Sequence, residues 1–117
     1  MHRDNTIRSF LLFEAATFVV AALIHSGVLI DGYEHEKARI AEGVIAIVLL
    51  AAAASTWIWP ACTRKAGLAG QTFALLGTLI GIFTIVVGVG PRTVPDVAYH
   101  VAIVAVLIWG LVVTKRA

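Results

Sequence analysis

Four ionisable side chains interrupt stretches of this sequence that are otherwise apolar: Glu14, His25, Glu42 and His100. Inside a bilayer such groups cost roughly 2.5–3.5 kcal/mol each on insertion scales when charged, so they mark functional sites by default. Two imidazoles and one carboxylate form a ligand set for zinc, or for iron with open coordination positions. Imidazole binds a metal in its neutral form, which is cheaper to bury than a full charge. A carboxylate beside a divalent ion is compensated. His25, Glu42 and His100 are therefore candidate ligands of a divalent zinc, copper or iron ion. The same His25 and His100 are candidate axial ligands of a b-type haem. No C-x-x-C-H motif occurs, which excludes covalent haem. No H-x-x-x-H or H-E-x-x-H pair occurs within one segment, so any such site is assembled from different segments.

Helical spacing groups these residues further. Glu14 and His25 are eleven positions apart, three turns plus about 20°, and share a face with Ala21. His35, Arg39 and Glu42 follow i, i+4, i+7 and continue as Ala46, Leu49 and Ala53. Asp96 and His100 are i, i+4. His35, Arg39, Asp96 and Tyr99 form the rim of the expected site, where they would orient or attract an ion. Plainer roles are open for each: His25 bonded to a carbonyl, His35 solvated in a loop, Asp96 as a helix cap, Arg39 and Glu42 as an ion pair within one helix. Glu14 stands apart, with Arg8 six positions back as a snorkelling partner and Thr17 as a hydrogen-bonding neighbour. It is the candidate proton-binding group.

The elements that position these residues follow from hydropathy. The 117 residues are 60% hydrophobic and only 14% charged, with a mean hydropathy of +0.94. A soluble domain usually carries about 25% charge. Long runs have no charge at all, among them Gly43–Cys62, Ala66–Gly90 and Val97–Thr114. Uncharged apolar runs of about 18 residues or more read as bilayer spans. Four are expected, over 9–30, 38–59, 68–89 and 97–113, in a single transmembrane domain over 1–117. They run continuously apolar, unlike the alternating strands of a β-barrel. Short connections make sequential helices antiparallel neighbours, so the expected fold is an all-α integral membrane protein, an up-down-up-down four-helix bundle.

Orientation comes from the basic residues. Arg3, Arg8, Arg64, Lys65, Lys115 and Arg116 fall on one side, and Lys37, Arg39 and Arg92 on the other. The positive-inside rule then places both termini in the cytoplasm, as expected for a bacterial inner membrane. Trp57, Trp59 and Trp109 lie near the inner ends, Tyr33 and Tyr99 near the outer ends. With this topology His25, Glu42 and His100 each lie about 6–12 Å inside an outer helix end, and Glu14 lies nearer the cytoplasm. The first segment is too long for the apolar region of a signal peptide and is read as a retained helix. The net charge of +2 belongs to span ends, so the partner is the lipid bilayer and not nucleic acid. The single cysteine, Cys62, excludes an internal disulfide and a Cys-based zinc finger. Gly77 and Gly81 form a G-x-x-x-G pair, suited to a homo-oligomer interface or to an internal helix. Thr93-Val-Pro-Asp96 has the pattern of a capping box.

Chain length, four spans and a lone glutamate in the first helix resemble the small multidrug resistance transporters. The resemblance implies that Glu14 binds protons or cationic compounds within a dimer, and Glu14 is the one residue that carries over. The third segment lacks the tryptophan-containing stretch of that family, and the outer His/Glu set is foreign to it. The stretches Phe13-Glu-Ala-Ala-Thr17, Tyr33-Glu-His35 and 90–100 (Gly-Pro-Arg-Thr-Val-Pro-Asp-Val-Ala-Tyr-His) look like those of small four-helix bacterial membrane proteins with no attached activity.

Four functions are compatible with these features. The leading one is a metal-binding site of His25, Glu42 and His100 beneath the outer face. The others are a b-haem or quinone-linked redox subunit, a dimeric proton-coupled transporter using Glu14, and a structural or accessory bundle without ligand. No nucleophile is paired with a base and no phosphate cradle occurs, so the sequence carries no enzyme signature and no catalytic residue is assigned.

Overall fold

The computed structural model describes residues 2–117. They form four helices, α1 (His2–His25), α2 (Glu36–Ile58), α3 (Thr63–Val86) and α4 (Val94–Arg116), with a short 3-10 turn at Pro60–Cys62 before α3. No strand occurs among the described residues. Each helix is long and apolar enough to cross a membrane. At 1.5 Å per residue, 24 residues reach about 36 Å, more than the roughly 30 Å of a hydrocarbon core.

The helix ends are set by local chemistry, and they depart from the apolar runs. α1 begins seven residues before the expected Ser9. Its polar first turns are held by Thr6 Oγ1 donating to the His2 carbonyl and Ser9 Oγ donating to that of Asn5. Arg8 also donates to Thr56 Oγ1 and to its carbonyl on α2, and lies over the Trp57 ring. α1 stops at His25, although Val28, Leu29 and Ile30 continue the apolar run. Gly27 takes φ +81°, its N–H bonds the Ile24 carbonyl, and the Val28 N–H bonds that of Leu23. This is the Schellman end that a left-handed glycine permits. α3 ends the same way: Gly88 has φ +88°, with Gly88 N–H to Ile85 and Val89 N–H to Thr84.

α2 starts at a histidine cap, where His35 Nδ1 accepts from the Ala38 N–H. α4 starts at the capping box expected from the sequence, with Thr93 and Asp96 bonding each other's main chain. The core stacks Leu11, Ala15 and Phe18 of α1 against Ile45, Ala46, Leu49 and Ala53 of α2, with Ala74 of α3 and Ile103 and Leu107 of α4. α1 lies most extensively on α2, and α1 and α4 meet over a looser seam. Glycines let α3 approach closely: a Cβ on Gly70 would fall 2.8 Å from the Ala52 Cβ, and one on Gly77 2.9 Å from Ile45 Cδ1. Large apolar side chains such as Leu12, Ile47, Leu76, Ile80 and Ile108 remain on the outside of the bundle.

Candidate functional site

His25 is the last residue of α1, and its ring is only 4% exposed. Nδ1 lies 2.6 Å from Glu42 Oε1 of α2, and Nε2 lies 2.8 Å from Asp96 Oδ1 of α4. One imidazole thus ties together two helices that barely touch each other. Asp96 is held in place by its second oxygen, Oδ2, which accepts from both the N–H and the hydroxyl of Thr93. The capping box that starts α4 is therefore also what aims Asp96 at His25. Glu42 Oε2 is buried and has no partner among the described residues.

The proton count of this triad follows from its geometry. A carboxylate oxygen accepts and does not donate, so each N···O contact needs a bridging proton. Two contacts need two protons. Either the ring carries both, or a neutral ring donates one and a carboxyl group supplies the other. In either arrangement the three groups together bear one negative charge. A bridging proton in this cluster can sit on oxygen or on nitrogen.

The other expected site residues have separate placements. His100, one turn beyond Asp96, donates from Nδ1 to the Asp96 carbonyl at 2.7 Å. Its Nε2 faces Gly81, where an added Cβ would lie 3.2 Å away, and it makes no hydrogen bond to His25 or Glu42. His35 caps α2, and besides accepting from Ala38 it donates from Nε2 to the Val89 carbonyl at 3.1 Å, with its ring edge-on to that of His25 at 6.3 Å. Arg39 is exposed and pairs with Glu36 at 3.9 Å; Glu42 turns instead to His25. Tyr99 donates to Thr17 Oγ1 at 3.1 Å, and its ring stands edge-on to Phe18 and His100.

Glu14 is fully buried, and neither carboxyl oxygen has a partner among the described residues. The Thr17 hydroxyl donates to the Glu14 backbone carbonyl, not to its side chain. Gly77 and Gly81 face Ile45 and His100 of the same chain.

Two concavities adjoin the triad. A cavity of about 140 Å³ lies among α2, α3 and α4, lined by Glu42, Ile45, Gly77, Thr78, Gly81 and His100. A wider apolar groove of about 570 Å³ runs along the α1–α4 seam, from Phe13 and Val20 to His25, Asp96 and Tyr99. Among the described residues no group of three or more His, Cys, Asp or Glu is placed to hold a metal ion. A metal or a haem iron at His25 would have to displace a carboxylate from one of its nitrogens.

The role of Asp96 as a direct partner of His25, and the buried polar residues Gln71 and Thr114, were not singled out from the sequence. Gln71 is the one glutamine of the chain and sits within an uncharged run, a signal overlooked when only ionisable groups are weighed. No protein-family model, curated protein or solved structure matches the chain.

Proposed function

We propose that this is a multi-pass inner-membrane protein, an antiparallel up-down-up-down bundle with both termini cytoplasmic, that couples proton binding at Glu42, His25 and Asp96 to movement of an apolar or amphiphilic compound. The observation that carries this reading is the buried His25 ring with a carboxylate oxygen at each nitrogen. The α1–α4 groove is lined by His25 and Asp96 themselves. A compound entering it from the bilayer meets the proton-bearing groups directly, so occupancy and protonation influence each other by linkage.

The antiparallel arrangement is supported by contacts at both ends. Arg8, early in α1, bonds Thr56, late in α2, whereas His25 at the end of α1 bonds Glu42 near the start of α2. Arg64 at the start of α3 donates to the Lys115 carbonyl at the end of α4. The excess of basic residues at the end that holds the termini supports the orientation.

Proteoliposomes with an imposed pH gradient test the function. Adding fluorescent amphiphiles from a panel of neutral and cationic compounds should discharge the gradient with the native protein, and not with His25→Ala or Glu42→Gln variants that retain helicity. A native protein that neither binds these compounds nor moves protons would end this reading.

A second reading is metal binding by Glu42 and His100, favoured by the unpartnered Glu42 Oε2 and by a His100 Nε2 with no hydrogen bond. Elemental analysis of the purified protein for zinc, copper and iron separates the two. Near-stoichiometric metal lost in His100→Ala supports the second.

A further inference from the structure

Glu14 and Gln71 are both 0% exposed. Glu14 Oε1, Glu14 Oε2 and Gln71 Oε1 are buried acceptors without a partner. The orientation of the Gln71 amide is fixed by its nitrogen, which donates to the Gly67 carbonyl at 3.1 Å and to Thr114 Oγ1 at 2.9 Å. Turning the amide over would set its oxygen against a carbonyl oxygen, which cannot donate. Oε1 is therefore directed the other way, towards α4 at Gly110. A Cβ built on Gly110 would stand 2.9 Å from Glu14 Oε2 and closer still to Gln71 Oε1. The two oxygens thus border the same space, the one a side chain at Gly110 would fill.

Three buried acceptors with no donor among them are unfavourable. A single proton reverses this, because a protonated carboxyl is a donor as well as an acceptor. We infer that Glu14 and Gln71 form a second buried proton-binding site, in which Glu14 carries the proton and donates it to Gln71 Oε1.

This site does not rest on the reading of the outer triad. Glu14 precedes His25 by eleven residues, about 16 Å along the helix. Among the described residues no titratable group from a neighbouring helix is buried beside it. The buried titratable residue of α2 is Glu42 and that of α4 is Asp96, both engaged with His25, and α3 buries none. On α1, Arg8 is turned to Thr56 and Trp57. Arg64, Lys65, Lys115 and Arg116 are exposed at the inner helix ends.

Infrared difference spectroscopy of the full chain in lipid nanodiscs tests the site at neutral pH. The native protein should show a protonated-carboxyl stretch that is missing in Glu14→Gln. In Gln71→Leu the stretch should persist and shift to higher frequency, because the proton has lost its acceptor. A native spectrum identical to that of Glu14→Gln overturns the proposal, and so does a band that Gln71→Leu leaves unmoved. Should either variant fail to fold, residue-assigned carboxyl ¹³C shifts of the native protein decide: a Glu14 shift in the protonated range supports the site, and one in the carboxylate range overturns it.

Discussion

A histidine with a carboxylate at each nitrogen is a different object from a histidine held open for a ligand. His25 satisfies two buried acidic side chains at once, and removing it leaves Glu42 without a donor and Asp96 with those of Thr93 alone. Breaking a buried pair from one side costs about 3–5 kcal/mol. His25→Ala should therefore lose about that much stability, seen as a clear fall in the thermal midpoint in detergent. Glu42→Gln should lose less, since the amide oxygen still accepts from Nδ1–H. Thr93→Ala removes both a helix cap and the hydroxyl bond to Asp96, leaving the residue 93 N–H as the one main-chain donor that orients that carboxylate. The cap alone is worth about 1 kcal/mol. The variant should also show a changed His25 imidazole ¹⁵N spectrum, although residue 93 does not touch that ring.

At the level of the helices, glycine position decides whether a side chain can be added. Gly70 and Gly77 sit where α3 meets α2, and Gly110 sits opposite Glu14 and Gln71. Gly70→Leu should force α3 off Ala52 and cost about 1–3 kcal/mol by overpacking. Gly43 is the contrast: it lies within α2 with nothing inside 4 Å of an added Cβ. Gly43→Ala should leave stability unchanged or raise it by up to about 1 kcal/mol, the helix-propensity gain. Denaturation of the two variants side by side in one detergent checks the pair. If Gly70→Leu proves as harmless as Gly43→Ala, the tight α2–α3 approach is wrong.

For the whole molecule, the expectation concerns which end faces which compartment. Cys62 is the single cysteine, and it is exposed in the connection between α2 and α3. In the proposed orientation a membrane-impermeant maleimide should label it in inside-out vesicles and not in intact cells. In a Cys62→Ser background, Asp31→Cys in the α1–α2 connection should give the reverse pattern. Labelling of both positions from the same side would contradict the antiparallel bundle. The apolar side chains left around the outside, such as Ile47 and Ile80, fit a lipid solvent, which imposes no penalty for exposing them.

Much of this was legible in the residues. Four apolar runs specify four helices because a backbone in lipid must satisfy its own hydrogen bonds, and the helix does so locally. Spacing along a single helix also placed Glu14 with His25 on one face, and His35, Arg39 and Glu42 with Ala46, Leu49 and Ala53 on another, of which Glu42 and the three apolar residues are buried and Arg39 is exposed. The Thr93–Asp96 cap was readable because all its partners lie within four residues. Hydropathy alone could not place the end of α1, since Ser26 and Gly27 stop the helix by backbone conformation while the apolar run continues. Nor could spacing choose the partners of His25, because they come from helices whose rotations depend on how Gly70, Gly77 and Gly110 let the backbones approach. The types of the polar groups and their approximate depth are properties of the sequence. That Asp96 rather than His100 meets His25, and that Glu14 and Gln71 both come to lie beside Gly110, is decided by tertiary packing, because such placements between helices require a positional match finer than helical periodicity supplies.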